Sequence, residues 1–393
     1  MNNSRLRLAA SVLVCGALFY QMNNAIAQEE ANPGFTGYLG LSLKYDDNLF
    51  KTKNNTVSDT ALVLVPELGH TSVFGKHQLD LGLEAELASY SDFSDENYND
   101  VKLFGDLLLD LTPKFNLDLG LNYMMGHDPR GDAGSRVILS SEHDTWDKLE
   151  YYFDGVSGRR SNKGQFEVKY QWISRAYTNN NQEVRDRDNS TLFLTAFYNS
   201  SATNSYLLEL RLEDIAYVNA ISKDRDSTET TVFVGSRWEV TNLTAGEIRL
   251  GYLEKDYEGQ NIQFEDFSGF AMEALMDWTP QEGDLFKLGL SRGTEESAGF
   301  LSNYYIATRF NLDWAHTFSP LMEMEAGYSF ENDDYDNGRN DDLLNFYLGG
   351  KYNFTKRFDV SLNYEYKDRE SNLSIVDYKS NVIMLTGSYT PQW

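Results

Sequence analysis

The chain has one cysteine, Cys15, in 393 residues. It stands before Gln28, where the mature protein is expected to begin. A disulfide framework, a thiol nucleophile and a thiolate metal site are therefore all excluded. Proline is scarce, at seven residues. Past the first twenty residues no apolar run is long enough to span a bilayer as a helix. Basic charge is also short: 34 Lys and Arg stand against 60 Asp and Glu, for a net charge of −26. Such a surface repels phosphates, so nucleic acid is not an expected partner. The five histidines, His70, His77, His127, His143 and His316, show no metal-ligand spacing and no HExxH. There is no glycine-rich phosphate loop ahead of a helix and no nucleophile elbow. No cofactor is expected, and no enzyme.

What the sequence does contain begins with a secretory signal. Arg5 and Arg7 precede an apolar run from Leu8 to Tyr20, and Ala25-Ile26-Ala27 supplies small residues for cleavage. Residues 1–27 are read as the signal peptide and 28–393 as one domain, since no linker or composition break divides them. Aromatic residues are plentiful, at 14%.

The dominant pattern is period-two alternation from Phe35 to the C-terminus. Leu79, Leu81, Leu83, Ala85 and Leu87 share one parity, against Gln78, Asp80, Glu84 and Glu86. Tyr206, Leu208, Leu210 and Leu212 oppose Glu209, Arg211 and Glu213, and Met322, Met324, Ala326 and Tyr328 oppose Glu323 and Glu325. A helix would scatter these residues around its circumference, whereas a strand separates them onto two faces. The connections alternate between two kinds. Short ones are turn-like, such as Thr112-Pro113-Lys114, Asn199-Ser200-Ser201, Thr241-Asn242 and Phe318-Ser319-Pro320. Long ones are polar and mostly acidic, such as the one opening at Gly126, and those over 179–188, 219–229, 255–266 and 331–342.

Alternating apolar and polar faces, aromatic row ends and short turns opposite long loops are the plan of an outer-membrane barrel. The expected fold is all-β: a transmembrane antiparallel up-and-down β-barrel of about 18 strands. A barrel of that size is wide enough for a water-filled lumen. The location is the outer membrane of a Gram-negative cell. The partners are outer-membrane lipid and lipopolysaccharide, and the long loops face outward. The last strand ends on Tyr389 and Trp393, which resembles the C-terminal signal read by the barrel-assembly machinery.

The polar rows define candidate lumen-lining residues: Asp80, Glu84, Glu86, Asp106, Glu209, Arg211, Glu213, Arg249, Glu273, Asp277, Arg309, Glu323 and Glu325. These charges either pair across strands or line a hydrated, cation-favouring conduit. Tyr38, Phe104, Tyr305 and Tyr347 fall on the same face, where they could stack on sugars. The acidic stretch 331–338 fits no EF-hand register and reads as a solvated loop.

One segment carries a family resemblance. Tyr45, Asp46, Asp47, Asn48, Leu49 and Phe50 resemble the Tyr-Asp-x-Asn-aliphatic-Phe signature of the putative β-barrel porin 2 family. Val65-Pro66-Glu67-Leu68 and His127-Asp128-Pro129-Arg130-Gly131 are similar to that family too. The resemblance implies an outer-membrane partner of exopolysaccharide or capsule export. A periplasmic polysaccharide-export protein and the polysaccharide itself would then join the list of partners. The other readings are a passive or substrate-selective porin, and an outer-membrane enzyme or structural barrel. An inward-folding loop favours the porin, a wide lumen with inward aromatics favours export, and clustered Ser/His/Asp on one rim favours an enzyme.

Overall fold

The computed structural model describes residues 33–132, 141–239, 243–259, 264–298 and 302–391. The signal segment, the Thr241-Asn242 turn and Trp393 lie outside the described residues.

Eighteen strands follow in chain order. They are β1 (Gly34–Asp46), β2 (Asp59–Phe74), β3 (His77–Tyr90), β4 (Tyr98–Thr112), β5 (Phe115–His127) and β6 (Thr145–Ser157). Next come β7 (Gly164–Tyr177), β8 (Arg187–Asn199), β9 (Asn204–Tyr217), β10 (Ser227–Glu239), β11 (Thr244–Tyr257) and β12 (Phe267–Trp278). The last are β13 (Asp284–Glu296), β14 (Tyr304–Ser319), β15 (Met322–Tyr335), β16 (Asn340–Asn353), β17 (Phe358–Ser371) and β18 (Tyr378–Tyr389). Each pairs antiparallel with its sequence neighbours, and β1 pairs with both β2 and β18, which closes the sheet. Closure matters because an open edge would leave unpaired backbone groups in hydrocarbon, at several kcal/mol each.

The alternation decides which side faces lipid. Leu39, Leu41, Leu81, Leu83, Tyr206, Leu208, Val232, Leu250, Leu362 and Leu385 are all strongly exposed on the outer surface. Their neighbours of opposite parity turn inward. Ser42, Glu209, Thr231, Phe233, Glu247 and Ala271 are buried along the inner face. Tyr45, Tyr206, Trp278 and Tyr352 stand exposed near row ends, where interfacial girdles sit.

The strands are 12 to 16 residues long, against the 9–11 or so that a crossing needs. The barrel therefore projects beyond the bilayer, and this corrects one expectation. Residues 331–342 are not a long loop: β15 runs on to Tyr335 and β16 starts at Asn340. Asp333 and Asp341 are fully buried and face one another across the ladder. Local acidity suggested solvent, but inward parity and strand pairing prevailed.

The interior aromatics follow one rule. Phe104 lies opposite Gly82, Tyr152 opposite Gly120, Phe233 opposite Gly251 and Tyr347 opposite Gly327. A Cβ at Gly82, Gly120 or Gly327 would come within 2.1 Å of the facing ring. Each ring thus lies flat over a glycine and fills the wall. Tyr305 is buried against Tyr335, with ring centroids 4.9 Å apart. These side chains do not project into the lumen as free sugar platforms.

Candidate functional site: the lumen wall and its inward loop

All thirteen predicted lumen residues carry inward parity, but the structure places them in different environments. On β3 to β6 the acids are dispersed. Asp80 accepts from Thr71 and Gln78, each at 2.6 Å, and Asp106 accepts from the Tyr152 hydroxyl at 2.7 Å. Glu84 is half-exposed and 3.3 Å from Lys102, while Glu86 accepts from the Tyr98 hydroxyl at 2.5 Å.

On β9 to β12 the charges interlock. Arg211 donates to Glu273 at 2.8 Å and to Glu209 at 3.0 Å. Arg249 lies 2.6 Å from Glu247, 3.2 Å from Glu273 and 3.4 Å from Glu209. Arg237 also donates to Glu247. The Arg211 guanidinium is sandwiched by Phe193 and Phe233, at 4.9 and 5.0 Å from their centroids. Planar guanidinium suits both contacts at once, in-plane forks to carboxylates and faces to rings. Further round, Glu213 accepts from Asn189 at 2.7 Å, Arg309 pairs with Glu295 and Glu331 at 2.9 and 2.8 Å, and Glu323 pairs with Lys351 at 2.9 Å. Glu325 packs beside Gly349, and Asp277 lies opposite Lys287.

The sequence motifs prove to be architectural. Asp46 holds Lys51 at 2.7 Å and Ser380 at 3.1 Å. Asp47 accepts from the backbone and side-chain nitrogens of Asn381, both at 2.7 Å. The Asn48 amide donates to the carbonyls of Thr52 and Lys379, each at 2.8 Å. The segment after β1 is thereby tied to β18, beside the seam where those two strands pair over only eight rungs. Tyr45 faces lipid, Leu49 enters a core with Ala61, Val63, Ala88, Tyr90 and Tyr98, and Phe50 meets Phe93 edge-on at 5.2 Å. Tyr389 closes the other end of the seam, opposite Leu39 and Phe358.

The His-Asp-Pro-Arg-Gly segment has a different part. From the end of β5 the chain turns inward and reaches β17 and β18, although five strands separate β5 from β17 around the wall. Arg369 donates to the carbonyls of Gly131 and Asp132 at 2.9 and 3.4 Å, and the Tyr378 hydroxyl donates to Gly131 at 3.2 Å. Both side chains have inward parity, so the segment lies inside the wall. Asp128 accepts from Trp146 at 2.9 Å, Arg185 at 2.8 Å and Tyr177 at 3.2 Å. Arg130 forks onto Glu96, which also lies 3.1 Å from His143. Burial alone would raise the Glu96 carboxyl, but hydrogen bonds from His143 and Arg130, together with their charges, hold it at about 2. This pin is fully present above the ordinary value of 4.5 and is lost as pH falls toward about 2.

His127 bonds Asp100 at 2.9 Å and packs at a tilt against Tyr98 and His143, with ring centroids 4.2 and 4.5 Å away. Among the described residues, no group of His, Cys, Asp and Glu could hold a metal ion.

A closed barrel with a lipid belt, a charged interior and a loop folded inside its mouth defines an outer-membrane protein of the porin type. The chain matches the family described as Putative beta-barrel porin 2 over residues 35–388, and it belongs to that family. Among solved structures it is similar to a BenF-like porin from Pseudomonas fluorescens Pf-5, at 9% identity and TM-score 0.48, covering 91% of this chain and 99% of that one. It is also similar to Pseudomonas aeruginosa OccK2 (OpdF), at 9% identity and TM-score 0.49, covering 91% and 98%. Another similar structure is Pseudomonas aeruginosa OpdK, at 12% identity and TM-score 0.48, covering 91% and 99%. No curated protein matches the sequence.

Proposed function

We propose that this barrel is a diffusion porin for small polar solutes, with the inward loop as its constriction and the long connections on the outer side of the membrane. The observation that carries the reading is the path of Asp128 to Asp132 across the inside of the mouth. A segment pinned at Glu96, Arg185, Arg369 and Tyr378 narrows the entrance. Such a narrowing suits small solutes better than a polymer chain. Polysaccharide export has less support, because the interior aromatics cover glycines instead of forming a projecting track.

The purified protein in planar bilayers is expected to give discrete conductance steps. Arg130→Ala frees one pin and should raise the single-channel conductance while heat-modifiable mobility on gels stays that of a folded barrel. Unchanged conductance in that variant would mean that the loop is no constriction, and an absence of any conductance in the wild type would remove the porin reading altogether.

A further inference from the structure

The ladder register brings cations together on one wall in a chain that is otherwise strongly acidic. Lys148 on β6 lies directly opposite Arg175 on β7, and Arg175 lies directly opposite Arg187 on β8. All three have inward parity, in one row just below the rim that bears the long connections. Directly opposed residues stand about 5 Å apart at Cβ, and like charges so placed repel. On β9 to β12 every arginine of the interlocked cluster has carboxylates to offset that repulsion. Here the pairing is sparser: Lys148 reaches Glu150 at 3.3 Å, and Arg187 feels the charges of Glu296 and Glu295 without forming an ion pair with either. Among the described residues neither Arg175 nor Arg187 forms an ion pair or a side-chain hydrogen bond. Arg175 only rests on the Trp146 ring, 4.5 Å from its centroid.

The nearby acids are committed elsewhere. Glu150 is taken by Lys148 at 3.3 Å and by Gln171 at 2.6 Å. Asp128 is taken by Arg185 and Trp146, and Glu213 by Asn189. Glu296, below the rim on β13, is held by Lys255 at 2.9 Å and accepts from Tyr217. Arg175 and Arg187 are both partly exposed, and neither contributes a buried, unpartnered nitrogen. Their donors therefore open to lumen water. Two guanidinium forks and an ammonium in a row match the geometry of an oxyanion. Trp146, with its edge toward Asp128 and its face under Arg175, fixes that fork before any ligand arrives.

We propose that Lys148, Arg175 and Arg187 form a binding site for an anionic solute group, a carboxylate or a phosphate, immediately inside the constriction. The proposal rests on the porin reading for the origin of its ligand but not for its test. The site would give anions a foothold in a lumen whose overall charge excludes them. It would also make the pore selective for acidic solutes of a size that passes the loop.

The purified barrel in detergent, titrated calorimetrically with sodium succinate and separately with inorganic phosphate, should bind at least one of them, more weakly as sodium chloride is added. Arg175→Gln/Arg187→Gln should weaken binding tenfold or more. Arg175→Lys/Arg187→Lys should recover part of it, and Lys287→Gln, an inner cation on a distant wall, should leave it unchanged. Succinate-only or phosphate-only binding would assign the ligand chemistry. Binding of neither anion to the wild type, or equal binding by the double glutamine variant in its folded, heat-modifiable form, overturns the site. The calorimetry reads binding whether or not the protein conducts, so a barrel that binds succinate but carries no current would retain the site and lose the porin.

Discussion

Two stretches of the inner wall carry arginine in opposite ways. On β9 to β12, Arg211 and Arg249 are locked among Glu209, Glu247 and Glu273, and their side chains are only 16% and 13% exposed. On β6 to β8, Arg175 and Arg187 form no ion pair among the described residues and are partly exposed, although Glu296 and Glu295 attract Arg187 from a distance. The two walls share fold, parity and residue type, so composition cannot separate them. The difference lies in what each ladder rung sets opposite the cation: Glu273 stands across from Arg249, whereas Arg187 stands across from Arg175. A charge paired in the wall serves structure, and one left unpaired at the lumen is available to a solute.

The largest effect is expected where the locked wall is opened. Glu209→Gln/Glu273→Gln leaves two arginines in the wall short of partners, and breaking a buried pair from one side costs about 3–5 kcal/mol. Urea unfolding followed by gel mobility should show that loss; a change below about 1 kcal/mol would mean that the network is solvated after all. An intermediate effect comes from crossing the wall to its lipid side. Leu83→Arg should cost about 2–4 kcal/mol and lower the folded yield, while Glu84→Arg, its inward neighbour, should assemble normally. Equal yields from the two would contradict the face assignment. The smallest effect belongs to the open wall. Arg187→Gln should alter stability by no more than about 0.5 kcal/mol. A loss as large as that of the locked wall would make Arg187 a structural residue and erase the contrast.

The two walls also differ in how far sequence reasoning reached them. Glu209, Arg211, Arg249 and Glu273 were legible as inward residues because strict alternation surrounds them. Lys148, Arg175 and Arg187 went unnoticed because they flank long connections, where the alternation fades. One signal was available: Arg175, Arg185 and Arg187 bracket a single loop in a chain poor in basic residues. The Asp-Asp-Asn segment was legible as a family motif but not as the tie between the first and last strands. Its partners, Lys379, Ser380 and Asn381, lie more than 300 residues away.

The sequence alone determined the strands, their two faces and the alternation of tight turns with longer connections. Each of these rests on period-two patterning and turn chemistry within a few residues, and the lipid and the water select the faces one side chain at a time. Tertiary structure decided the register around the closed wall, and with it which charges oppose one another. It also decided that β15 runs on to Tyr335 and β16 begins at Asn340, leaving only a tight turn between them, that the aromatics cover glycines, and that the segment after β5 reaches inward to β17 and β18. Those outcomes depend on contacts between residues far apart in the chain. Only closure of the barrel brings them within hydrogen-bonding distance.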